Sequence, residues 1–125
     1  MPARYFTAAQ ANALLPTLRA LVAEMLTARN RIAAAEPDLW PVLEKAVGNG
    51  GSKKAGAVLV DFEKVQKNVK AIEALGIHVK DINTGLVDFP AQREGRDVYL
   101  CWRYDEPSVA HWHNLDAGFG GRQPL

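Results

Sequence analysis

The apolar residues Leu14, Leu18, Leu21, Met25, Ala28 and Ile32 recur at steps of four and three. That spacing predicts an amphipathic helix with a heptad-like seam, widened by Leu15 and Val22. Thr7-Ala8-Ala9-Gln10 matches a capping box, in which the threonine hydroxyl accepts from the N3 amide while the glutamine reaches back. From there to about Ala35 the helix would be ~43 Å long at about 1.5 Å per residue. Pro16 removes an amide donor and predicts a bend one to two turns in, and Glu36-Pro37 marks the stop. Val58, Phe62, Val65, Val69, Ile72 and Leu75 repeat the pattern, with Gly76 where a C-cap belongs. Matching seams predict an antiparallel helical hairpin. Two seams alone enclose a thin core, so we expect a homodimer packing through the helices. Between them, residues 38–47 form a short helix with Trp40, Leu43 and Val47 on one side, and residues 48–56, rich in Gly, Ser and Lys, read as a mobile loop.

After Gly76 the period shortens. Ile77 and Val79 alternate with their neighbours, and Asn83-Thr84-Gly85 supplies a turn. Residues 86–92 and 96–104 read as strands joined at Glu94-Gly95. A two-residue loop there pairs Arg93 with Arg96; counting back, Ala91 faces Val98, Phe89 faces Leu100 and Val87 faces Trp102, and those three pairs are apolar on one face. The opposite face then sets Asp88 across from Cys101, with Tyr99 and Arg103 on its diagonals. For residues 109–113, a four-residue loop sends both histidines to the Trp102 side. A five-residue loop puts Trp112 there instead and leaves His111 and His113 on the polar side. Burying tryptophan rather than histidine favours the second. The fold class expected is α+β, a long antiparallel helical hairpin followed by a small antiparallel β-sheet. It forms a single domain over residues 1–125: a helical part at 7–75, a sheet part at 77–113 and an irregular tail at 114–125.

Composition narrows the function. The 125 residues fit one domain with a self-sufficient core, at 48% hydrophobic content. One cysteine allows neither an internal disulfide nor a Cys-pair zinc framework. The net charge of +1 gives no whole-protein field for nucleic acid. Lys64, Lys67 and Lys70 recur along the second helix without interleaved aromatics, which suits a solvated face better than a nucleic-acid surface. The chain shows no signal peptide and no apolar run long enough to cross a membrane, so a cytoplasmic location is expected.

The chemistry gathers on the polar face of the sheet: Asp88, Tyr99, Cys101, Arg103, His111 and His113, with Arg122 in the tail. Three schemes follow. Asp88, Cys101, His111 and His113 form a mixed oxygen, sulfur and nitrogen ligand set suited to zinc, although an H-x-H pair is a weak motif. Cys101 near Arg103 and His113 could be a thiolate nucleophile, with Asp88 opposing it. Arg103, Arg122 and His113 suit a small anion, with the Gly118–Gly121 backbone able to approach it. The same residues also make an internal network, Asp88 pairing Arg103 and Arg122 pinning the tail.

Several segments resemble an uncharacterised bacterial family, domain of unknown function 2203. They are Arg4-Tyr5-Phe6-Thr7, residues 11–16, Val79-Lys80-Asp81, residues 84–90, residues 98–103, and the close from Trp112-His113 through Asp116, Gly118-Phe119 and Gly121-Arg122. The family pattern includes Asp88, Cys101, Trp102, Arg103, His113, Gly118 and Arg122, and His111 lies outside it. The resemblance implies a bacterial, cytoplasmic protein and carries over no activity. The function expected is a homo-oligomeric binding or interaction module with a polar pocket on its sheet, its ligand residues being Asp88, Tyr99, Cys101, Arg103, His113 and Arg122. Its partner would be a small anion or a protein. The alternative is a zinc-type hydrolase using the Asp/Cys/His cluster.

Overall fold

A computed structural model of the chain describes residues 4–47 and 58–125. The expected mobile loop at 48–56 lies outside the described residues. Helix α1 spans Ala8–Ala35. Its capping box forms as expected: Thr7 Oγ1 accepts from Gln10 N at 3.1 Å and Gln10 Oε1 accepts from Thr7 N at 2.9 Å. The helix is unbroken through Pro16. Its fully buried stripe is Ala11, Leu15, Leu18, Val22, Met25, Ala28 and Ile32. The seam is therefore centred one position round from the expected one, with Leu14 and Leu21 half-buried at its flank.

Helix α2 covers Trp40–Ala46 and buries Trp40 and Leu43. Helix α3, Leu59–Ala74, buries Phe62, Val65, Val69 and Ile72 along the expected stripe. Gly76, at φ 90°, ends it with a bond from its amide to the Glu73 carbonyl. Asn68 Nδ2 donates to Glu24 Oε1, and Arg31 pairs with Asp61, so α1 and α3 run antiparallel. The buried Asn68 is satisfied twice over, since it also donates to the Lys64 carbonyl.

The sheet is an antiparallel meander in the order β1 (His78–Asp81), β2 (Leu86–Arg93), β3 (Arg96–Arg103), β4 (His111–Asn114) and β5 (Gln123–Pro124). The β2–β3 register is the expected one at every pair, from Val87 opposite Trp102 to Arg93 opposite Arg96. Glu94 and Gly95 close it with positive φ of 53° and 78°, the mark of a type I′ turn. Strand β4 pairs Leu100 with Trp112, as the burial of tryptophan required. Pro90 lies on β2 beyond the last residue paired with β1, so its missing N–H breaks no ladder there, and its carbonyl accepts from Phe6 N.

The inner sheet face, with Val87, Phe89, Ala91, Val98, Leu100, Trp102 and Trp112, joins the helix stripes in one apolar core. The seams thus close within one chain, and the sheet supplies the cover for which a second copy was expected. The tail differs from the irregular segment expected. It holds a 3-10 turn at Phe119–Gly121 and the short strand β5, which pairs with β4 and is anchored by Leu125 N to the Ala110 carbonyl. Among the described residues no helix is long and apolar enough to cross a membrane.

Candidate functional site

Because side chains alternate along a strand, the register that buries Val87, Leu100 and Trp112 sends Asp88, Cys101 and His113 to the outer face. Over these three residues lie Leu115 and Ala117–Phe119. Asp88 and His113 are each 3% exposed and Cys101 is 1% exposed. They form the floor of a pocket of about 210 Å3, lined further by Lys80, Leu86, Tyr99 and the Leu115 and Ala117–Phe119 wall.

The floor is tightly bonded. His113 Nδ1 lies 2.8 Å from the Asn114 carbonyl oxygen, which only accepts, so Nδ1 carries a hydrogen. Its Nε2 lies 3.0 Å from Asp88 Oδ1. Burial first, then the charge of Asp88, pushes the Cys101 thiol up to about 12, with Arg122 opposing. The thiol is therefore protonated at neutral pH, which removes the basis for a free thiolate nucleophile. Ligand atoms of Asp88, Cys101 and His113 all lie within 4.8 Å of one another.

Two expected partners are absent from this floor. His111, opposite Cys101 in register, was expected in the ligand set. Instead its Nδ1 accepts from Arg122 at 2.6 Å, and a guanidinium only donates, so that lone pair is committed. Arg103 was expected to pair with Asp88. It binds Asp105 through two bonds of 2.7 and 3.0 Å, because a carboxylate two residues away reaches the fork with less ordering than one across the sheet. Arg122 does pin the tail, donating to Glu106 Oε2 at 2.5 Å. Its Nε is buried without a hydrogen-bond partner among the described residues. Both guanidiniums lie against the Phe119 ring, at 4.7 and 4.5 Å from its centroid. Neither lines the pocket; they hold the wall that does.

Three residues of the site were missed from sequence. His78 sits opposite Asp88, 5.6 Å centroid to centroid from Tyr99, which stands equally far from His113. Lys80 places its ammonium over the Tyr99 ring at the pocket rim. Both follow from the alternation that turns Val79 inward. Glu106 is the node of the wall: its carboxylate accepts from Arg122 and the Arg103 amide, and its carbonyl from Trp102 Nε1. Its only signal was its place in the loop after Arg103.

Neither the curated proteins nor the solved structures gave a match to the chain. The motifs that frame the pocket do have a family model: residues 4–125 match that of the uncharacterized conserved protein DUF2203, and the chain belongs to this family.

Proposed function

We propose that this protein is a binding module whose ligand site is the outer-face pocket of the sheet. The observation that carries the proposal is the burial of three convergent polar side chains, Asp88, Cys101 and His113, beneath an open pocket rather than inside the core. Burying polar groups costs free energy that apolar substitutes would avoid. A face that keeps them under a pocket of small-molecule dimensions has the make-up of a recognition surface. Among the described residues that line this pocket Lys80 is the cation, so a small anion is the ligand class we favour over a protein partner. Arg103 and Arg122 act behind the wall, not on the ligand.

The hydrolase alternative is less well supported. Use of Asp88 as a metal ligand leaves no other carboxylate among the described residues that line the pocket to act as general base. The binding proposal is tested by nitrogen-15 NMR of the untagged protein against a mixture of small carboxylates and phosphates. Shifts should cluster at residues 80, 88, 99, 101, 113 and 117–119. No shifts, or shifts confined to another surface, would refute it.

A further inference from the structure

We infer that the pocket floor is a centre for a thiophilic divalent cation of the zinc class, held by the Asp88 carboxylate, Cys101 Sγ and His113 Nε2. The inference rests on the pocket reading above and names what its floor binds.

Two features support it. The first is ligand chemistry: one oxygen, one sulfur and one nitrogen donor suit zinc or cobalt rather than magnesium or calcium. Their spread, within 4.8 Å, is close to the ~3.3–3.8 Å edges of a tetrahedron built from zinc bond lengths, so about 1 Å of closure completes the set. The second is orientation. The Asn114 carbonyl fixes His113 through Nδ1 and leaves Nε2 as the nitrogen that faces Asp88. A backbone carbonyl behind a ligating histidine is the usual outer support of such a ligand. Three protein donors leave a fourth position, and the pocket gives it access to a small anion beside Lys80.

Among the described residues His111 is not one of the donors grouped within 4.8 Å, and its Nδ1 accepts from Arg122, which separates this centre from the four-ligand set expected from sequence.

The test is an optical titration of untagged, chelator-stripped protein with cobalt(II). We expect about one equivalent to bind per chain, with a thiolate-to-cobalt charge-transfer band. Cys101 is the only thiol in the chain, so the band reports this site alone. Cys101→Ala should abolish the band and weaken binding at least tenfold, by roughly the factor that loss of a mere supporting residue costs. His111→Ala should leave both unchanged. Should Cys101→Ala fail to fold, the wild-type band decides by itself. A wild type that takes up no cobalt, binds it without the band, or binds it undiminished in a folded Cys101→Ala variant overturns the inference. If cobalt fails while the NMR mixture still perturbs residues 80, 99 and 113, the metal inference falls and the binding module stands.

Discussion

Gly85 and Gly95 both sit in turns at positive φ, 72° and 78°, yet different forces hold them. A Cβ on Gly95 would meet nothing within 4 Å, whereas one on Gly85 would lie 2.7 Å from Val22 Cγ1 and 2.9 Å from Tyr104 Cβ. Gly95→Ala should therefore cost about 1 kcal/mol of backbone strain. Gly85→Ala should cost about 2–4 kcal/mol, since α1 must also move away from the turn. Urea midpoints compare them, and equal losses would contradict the packing at Gly85. At Cys101 the sign of the pH dependence is set by its raised value. The fold favours the neutral thiol, so its stabilisation is complete below the ordinary value of 9.0 and is lost as pH rises from there toward about 12. In the metal-free protein, alkylation near pH ~8 should be at least about tenfold slower than in urea. Equal rates would show an accessible thiolate. The Asp88–Cys101 pairing was legible in sequence because it follows from the apolar pairs beside it. His113's bond to Asp88 was not, because side-chain choice between Asp88 and nearer acceptors is settled in three dimensions.

Elements with a long apolar period were legible; those held by a few polar contacts were not. The α1 and α3 stripes, the Glu94-Gly95 hairpin and the β4 register all carry burial information over several residues. The tail does not. Strand β5 is two residues long in a glycine-rich stretch and is held by Leu125, Arg122 and Glu106. The Arg122 and Glu106 side chains are 9% and 18% exposed, so removing one partner strands the other in a largely dry site. Arg122→Ala should lower stability by about 2 kcal/mol and speed proteolysis beyond residue 117. An unchanged urea midpoint with an unchanged cleavage pattern would mean that the wall is held by other contacts. The bond to Asp105 explains why Arg103 was misplaced: strand pairing ranks cross-strand partners, and a loop carboxylate lies outside that logic.

For the molecule as a whole, the +1 net charge is a cancellation. Residues 53–80 hold six basic and three acidic groups, while residues 81–125 hold four and seven. The few cations of the acidic half are thus conspicuous, and two of them, Arg103 and Arg122, are neutralised by Asp105 and Glu106. The closed core also changes what a homodimer through the helices would involve. The seams are buried within the chain, so an interface would use outward residues such as Val42 and Val60, 63% and 64% exposed. The helix-mediated dimer expected from sequence accordingly predicts that dilution separates the copies with full helical circular dichroism retained. Loss of helicity on dilution would show that the fold needs its partner. The claim on which most depends is the metal at the outer-face floor. Native mass spectrometry of the untagged protein, equilibrated with zinc and desalted beside Cys101→Ala, tests it most directly. The account predicts one zinc per wild-type chain and none on the variant; metal-free wild type, or equal loading of the two, would contradict it.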